Sequence, residues 1–236
     1  MNVAIIPARG GSKRIPRKNI KLFHGKPIIA YSIETAMASG CFDRIIVSTD
    51  DDEIAAVARE FGAEVPFKRP AELSDDFATT LDVMAHATNW LLADQPDVKN
   101  VCCIYPTAPL VLAEDLRQGL EKLNGSNTLN YVFSAVEYAF PVQRAITLHS
   151  EKVSMLMPEF EQTRSQDLPT TYHDAGQFYW GKVSAFTNKT PIFTGEASIV
   201  ALPQTRVQDI DTLENWLFAE SLYQHYVIPH ANRHTS

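Results

Sequence analysis

The residues best suited to chemistry stand in one run, Pro7-Ala8-Arg9-Gly10-Gly11-Ser12-Lys13-Arg14-Ile15-Pro16-Arg17-Lys18-Asn19. Gly10 and Gly11 permit close backbone approach and can turn N–H groups toward a ligand. Arg9, Lys13, Arg14, Arg17 and Lys18 supply charge for phosphates. Residues 1–33 carry seven bases and no acid, although the whole chain is at −7. That asymmetry points to a local anion site, or to nothing more than a solvated basic face. The run is neither G-x-x-x-x-G-K-[ST] nor G-x-G-x-x-G, which disfavours a kinase-like ATPase and a dinucleotide-binding oxidoreductase. A second feature is Asp209-Ile210-Asp211. Two carboxylates two residues apart on extended chain share a side. They suit a hard cation such as Mg²⁺, which takes one or two carboxylates plus phosphate oxygens and water. Asp211-Thr212-Leu213-Glu214 also fits a helix capping box, and the two roles are compatible.

These residues need elements to hold them. Val3 to Ile6 reads as a strand buried on both faces, so the basic loop leaves at its carboxyl end. Pro27 opens a helix that Gly40 ends. Arg44 to Thr49 is a strand, and Asp50 or Asp51 caps a helix with Ile54, Val57, Ala58 and Phe61 on one face. Glu64 to Phe67 reads as a weak strand and 79–93 as a helix. Val101 to Tyr105 is a strand whose Cys102 and Cys103 are core residues. A helix near 113–123 and the strand Tyr131 to Val136 follow. The β-α-β order predicts an α/β fold, a doubly wound, mostly parallel sheet with ligands at the carboxyl ends of its strands. The rhythm breaks over 137–172, where 146–149 and 153–157 suggest a hairpin serving as lid or dimer arm. It returns at Gly176 to Trp180 and Ser198 to Leu202, and a last helix starts near Thr212. The expected organisation is one domain over 1–136 and 173–228, an arm over 137–172 and a frayed tail over 229–236.

Composition is that of an ordinary globular chain, 45% apolar and 21% charged. No apolar run approaches the ~20 residues of a membrane span, and the first residues lack the pattern of a secretory signal. Three cysteines, two of them adjacent, make no disulfide framework and fit a reducing, cytoplasmic setting. An acidic body argues against nucleic acid as a partner.

Several separated motifs, in order, resemble the CMP-sialic acid synthetase family of cytidylyltransferases over about residues 2–226. They are the loop Ala8 to Asn19, the stretch Phe42 to Asp50, Arg69-Pro70-Ala71-Glu72-Leu73, Pro106-Thr107-Ala108-Pro109 and Asp209-Ile210-Asp211-Thr212. The resemblance implies a nucleotidyltransferase with a small dimerisation arm. The implied reaction joins CTP and an acidic nine-carbon sugar to give a CMP-sugar and pyrophosphate. It also implies roles. Arg9 grips the phosphates within the loop Ala8, Gly10, Gly11 and Ser12. Lys18 and Asn19 meet the nucleotide, and Arg69, Ala78 and Thr80 surround cytosine and ribose. Asp209 and Asp211 hold Mg²⁺, and Arg9, Lys18 and Asp211 carry catalysis.

The sequence departs from the sialic acid pattern where the sugar should lie. Tyr105 replaces a glutamine, Leu110-Val111 replaces Leu-Arg, and His173-Asp174-Ala175-Gly176-Gln177-Phe178-Tyr179-Trp180-Gly181 replaces another segment. The Gln-Phe-Tyr-Trp-Gly run resembles the pseudaminic acid branch of the family, whose less polar sugar suits aromatic walls. Tyr105, Arg164, His173, Gln177, Phe178 and Tyr179 are the implied sugar contacts, with Arg164 reaching the neighbour's site in a homodimer. Phe178, Tyr179 and Trp180 also read simply as a buried strand. Sialic or legionaminic acid is the rival substrate. A non-catalytic nucleotide-binding regulator is the rival function, against which Arg9, Lys18, Asp209 and Asp211 all speak.

Overall fold

The computed structural model describes residues 1–228, so the tail over 229–236 lies outside the described residues. Strand β1 (Asn2–Pro7) buries Val3, Ala4, Ile5 and Ile6 completely. After the basic loop, β2 (Leu22–Phe23) and β3 (Lys26–Pro27) pair through a turn in which His24 and Gly25 both have positive φ. Helix α1 (Ile28–Ser39) ends on Gly40 at φ 65, the left-handed C-terminal conformation that glycine adopts without strain. β4 (Arg44–Ser48) leads to α2 (Asp52–Glu60), capped by Asp51, whose carboxylate accepts the N–H groups of Glu53 and Ile54.

The segment 64–67 is not a strand. Glu64 makes an isolated bridge with Ile46, and Lys68, just past the segment, makes another with Thr49. Pro66 lies between them and has no N–H to donate, so the ladder cannot run through. α3 (Thr80–Asp94) starts from a capping box of Thr79 and Asp82. Then come β5 (Asn100–Ile104), α4 (Ala113–Asn124) and β6 (Tyr131–Glu137). The excursion holds β7 (Ile146–His149) and β8 (Lys152–Met155), an antiparallel pair outside the main sheet. The chain returns as β9 (Tyr172–Lys182), α5 (Val183–Thr187), β10 (Ala197–Leu202) and α6 (Leu213–Leu222).

The six-stranded sheet has the order β10-β6-β9-β5-β1-β4. β1 is parallel to β4 and β5, and β10 is parallel to β6. β9 is antiparallel to both its neighbours. The expectation that the parallel rhythm resumes at Gly176 is therefore corrected. No crossover helix follows β6; the chain turns through the hairpin excursion and comes back in the opposite direction. β9 is covered on both faces, so its apolar run reads like that of a parallel strand.

Side-chain alternation splits β9 between two cores. Phe178 and Trp180 pack with Ile6, Cys102, Val132 and Leu116, whereas Tyr179 packs with Ile5, Cys103, Phe133 and Met84. Gly119 lets α4 lie close on this sheet: a Cβ there would sit 2.6 Å from the Trp180 ring. Trp180 Nε1 donates to the Leu116 carbonyl at 2.9 Å. Helices α1, α2 and α4 cover one face and α3 and α5 the other, which makes the sheet doubly wound.

Candidate active site

A cleft of about 670 Å³ opens at the carboxyl ends of β1 and β5. The basic loop forms one wall, the segment from Arg69 to Thr80 forms another, and Asp211 closes one end. This is where a sheet of this kind presents its ligand contacts.

The loop is fastened from behind. Arg17 has a left-handed backbone, φ 55, and directs its guanidinium away from the cleft lining. It donates to both oxygens of Asp51, at 2.6 and 2.8 Å, and also pairs with Glu53. The hydrogen bond from Arg17, with those from the backbone N–H groups of α2, holds the Asp51 carboxyl at about 2. Gly10 donates its N–H to Asp50 Oδ1 at 3.0 Å rather than into the cleft. A Cβ on Gly10 would lie 2.7 Å from Asp51 Oδ2. The absence of a side chain at Gly10 thus lets the loop pack against the start of α2. Nothing lies near a Cβ on Gly11, and Ala8 is buried in the core.

With the loop pinned, its remaining cations turn toward the cleft. Asn19, itself buried, fixes the Arg9 backbone by donating from Nδ2 to its carbonyl at 2.9 Å. Arg9 Nη1 is 2.9 Å from Asp76 Oδ1 and donates to the Asp75 carbonyl at 2.6 Å. Lys13 pairs with the same Asp76. Lys18 donates to the Ile210 carbonyl at 2.7 Å and lies 3.5 Å from Asp211, which Arg14 meets at 3.0 Å. Two carboxylates, Asp76 and Asp211, therefore occupy the cations of the loop.

Arg69 is 5% exposed and donates from Nε to Ser74 Oγ at 3.1 Å. Burial lowers its pKa against the pull of Asp50, 3.5 Å away. Its buried Nη2 is the atom 3.5 Å from Asp50 Oδ1, a long ion pair with no well-formed hydrogen bond, which leaves room for a better-placed acceptor on a ligand. Tyr105 takes its position from the Gln177 carbonyl, which accepts its N–H at 2.9 Å. Its hydroxyl is 3.0 Å from Thr80 Oγ1, and burial pushes its pKa up to about 12.

The structure thus brings Arg9, Ser12, Lys18, Asn19, Arg69, Ala78, Thr80, Tyr105 and Asp211 to one cleft. Others lie elsewhere. Phe178 belongs to the core beneath α4, which corrects its expected sugar contact. Tyr179 lies under Tyr105, with ring centroids 5.6 Å apart. Gln177 is buried and donates from Nε2 to the Arg206 carbonyl at 2.6 Å. His173 is exposed against Tyr138, and Arg164 sits on the excursion, 74% exposed and paired with Asp167. Asp209 is outside the cleft lining; burial, and then the nearby Asp211 carboxylate, raise its pKa.

Helix α6 is capped by Thr212 with Asn215, not by Asp211 with Glu214. The Asn215 amide accepts the N–H groups of Asp211 and Thr212, which leaves the Asp211 carboxylate for Arg14 and Lys18. Sequence reasoning missed Asp50, Asp75 and Asp76. The signal available was an acid pair placed between Arg69 and Ala78.

A doubly wound sheet with a cationic cleft at its strand ends defines a nucleotide-handling protein. The family model described as Cytidylyltransferase matches residues 3–233, and the chain belongs to that family. It is 46% identical over 224 residues to the pseudaminic acid cytidylyltransferase of Campylobacter jejuni, covering 94% of this chain and 96% of the relative. It is 28% identical over 218 residues to an N-acylneuraminate cytidylyltransferase of Streptococcus agalactiae, covering 91% and 51%. Among solved structures, it resembles a CMP:2-keto-3-deoxy-manno-octonic acid synthetase complexed with CTP. That match has a TM-score of 0.70 at 16% identity, covering 94% and 98%. The 4-diphosphocytidyl-2C-methyl-D-erythritol synthase of Anaerococcus prevotii follows at 0.65 and 14%, covering 95% and 98%. These two likenesses concern the fold.

Proposed function

We propose that this cytidylyltransferase joins CTP and pseudaminic acid to give CMP-pseudaminic acid and pyrophosphate. The observation that carries the substrate is the 46% identity, over nearly the whole of both chains, to a relative named for that sugar. The cleft supports the chemistry. Arg9, Lys13 and Lys18 line the cleft and supply charge suited to a triphosphate, and Arg69, on another wall of the same cleft, would meet the base or ribose. The sugar hydroxyl attacks the α-phosphorus and pyrophosphate leaves. Catalysis of such a transfer is mostly positioning and charge stabilisation, which fixed cations supply without reorganising.

Asp211 lines the cleft and Asp209 stands two residues before it, and the two carboxylates would hold Mg²⁺ together with phosphate oxygens. Among the described residues no three metal-ligating side chains come together, and Mg²⁺ characteristically uses one or two carboxylates with substrate phosphates. Bound there, the ion would neutralise charge on the phosphates. Among the described residues no helix is long and apolar enough to cross a membrane.

The test is pyrophosphate release from CTP with pseudaminic, legionaminic and sialic acids in direct competition. The expected result is a kcat/KM for pseudaminic acid at least ~10-fold above sialic acid, the lower end of what an apolar pocket discriminates. A ratio near one, or one favouring another sugar, removes the pseudaminic assignment and leaves the nucleotidyl transfer. Legionaminic acid is the rival to include, because a CMP-N,N'-diacetyllegionaminic acid synthase of Legionella pneumophila is 41% identical over 133 residues.

The excursion is proposed as a dimer arm. It exposes Phe140, Ile146, Leu148, Val153 and Leu156 together, an apolar surface of the kind that marks an interface. Arg164 on this arm would then serve the partner's cleft. Mixing Arg164→Ala with Arg9→Ala should restore activity, because one mixed site carries both arginines. No recovery in verified heterodimers would remove Arg164 from the neighbour's site.

A further inference from the structure

Two walls of the cleft hang from the carboxyl end of β4. The Ser48 carbonyl accepts the Ala8 N–H at 2.9 Å, at the root of the basic loop. The Thr49 carbonyl accepts the Arg69 N–H at 2.8 Å, where the other wall begins. Asp50 follows, and its side chain meets both walls. Its Oδ1 accepts the Gly10 N–H at 3.0 Å, and the same oxygen faces Arg69 Nη2 at 3.5 Å. Asp51, one position on, turns to the back of the loop, where it takes Arg17 and caps α2. Asp50 lies outside the cleft lining, which includes Arg9 and Arg69.

One oxygen with partners on two walls is a spacer. On the loop side it holds backbone, at a glycine packed too tightly against Asp51 to carry a side chain. On the other side it holds a buried guanidinium whose Nε is already fixed by Ser74 Oγ at 3.1 Å. A guanidinium is planar and rigid, so contacts at Nε and Nη2 set its plane. Asp50 also gives buried Arg69 a counter-charge, and removal of one member of such a pair leaves the other uncompensated. The negative charge of Asp50 works against an anionic ligand, so attraction of phosphates gives no reason for a carboxylate beneath this loop. Spacing does.

We propose that Asp50 is a positioning residue for the nucleotide: through one oxygen it sets the distance between the basic loop and Arg69, so that both walls reach a single ligand. The ligand class that fits is a nucleoside triphosphate, with phosphates for the loop and a polar base or ribose edge for Arg69. That this nucleotide is CTP rests on the function proposed above.

The experiment measures kcat/KM for CTP, KM for the sugar acid and melting temperature in wild type, Asp50→Ala, Asp50→Asn and Asp52→Asn. It repeats Asp50→Asn in an Arg69→Ala background. Asp52 is the charge control, exposed and paired with Lys68 at 2.9 Å. In Asp50→Ala, kcat/KM for CTP should fall at least ~10-fold, inside the ~10²-fold that a misplacement of about 1 Å can cost. Asparagine keeps an oxygen for Gly10 and drops the charge facing Arg69, so it should lose about threefold or more, yet less than alanine. KM for the sugar acid should stay within about twofold in both, because the two walls concern the nucleotide. In the Arg69→Ala background, Asp50→Asn should change kcat/KM for CTP less than about twofold, since the partner it acts through is gone. Asp50→Asn carries the test alone where Asp50→Ala melts below the assay temperature. Folded Asp50 variants whose kcat/KM for CTP stays within twofold of wild type, or rises, would overturn the proposal. Equal changes in both KM values would overturn it too, as would an equal loss from Asp52→Asn or an undiminished loss without Arg69. A wild type that turns over no CTP with any of the sugar acids defeats the functional reading and this proposal together. A wild type that uses CTP, with the Asp50 variants unchanged, defeats this proposal alone.

Discussion

Arg9→Ala is expected to lower turnover at least ~10²-fold at saturating CTP, the scale of one lost transition-state donor. Arg9 stands two residues past β1, its backbone is held by buried Asn19, and its guanidinium already grips the Asp76 carboxylate at 2.9 Å. A group held by its backbone at the cleft needs only to exchange Asp76 for a phosphate oxygen as charge develops there. The variant should melt near the wild-type temperature, because its partners are exposed pairs of small worth. Arg9→Lys should recover part of the loss, as a point charge without the planar fork. Turnover at saturating CTP and a melting curve measure both halves of the expectation. Near-wild-type turnover in a folded Arg9→Ala protein would remove Arg9 from the reaction.

Much of this frame was legible in the sequence because burial writes itself into apolar runs. β1, β5 and β6 are such runs, and the turn from β1 into a basic loop placed the cleft at their carboxyl ends. Three things were not legible, each for a physical reason. The direction of β9 left no trace, since a strand covered on both faces has the same composition whichever way it runs. The same doubling hid which of Phe178, Tyr179 and Trp180 could approach a ligand. Alternation sends Phe178 and Trp180 under α4, and only Tyr179 lies beneath the cleft. The task of each charge in the loop was also hidden. Arg17 stands beside Lys18 in sequence, yet its left-handed backbone aims it at Asp51 while Lys18 faces Asp211.

The acids show the same limit from the other side. Asp75 and Asp76 sit in a polar stretch that reads as loop, and nothing in their spacing reveals that Asp76 meets Arg9 and Lys13 more than 60 positions away. Lys13 and Arg9 hold the Asp76 carboxyl below its ordinary range. Asp76 therefore remains a competing anion for those cations well below neutral pH. A resemblance to a family can place Arg9 and Lys18 at phosphates, but it does not show what they bind while the cleft waits for a nucleotide.

Asp211→Asn is the second change expected to act strongly, and it separates a metal ligand from a helix cap. The cap of α6 belongs to Thr212 and Asn215, so the asparagine variant should keep its fold and melting temperature. Turnover should nevertheless fall by about tenfold or more, where tenfold corresponds to ~1.4 kcal/mol of barrier. Burial, and then the Asp211 carboxylate nearby, raise the pKa of Asp209. A divalent cation held by the pair would offset the repulsion between them, so Mg²⁺ should raise the melting temperature of the wild type and not that of Asp211→Asn. Thr212→Ala is the control in the other direction: loss of a cap costs about 1 kcal/mol of stability while turnover persists. If Asp211→Asn instead melts early and keeps full turnover, the carboxylate serves only the fold. If chelation leaves wild-type activity intact, Arg14 and Lys18 are the whole reason that Asp211 faces the cleft.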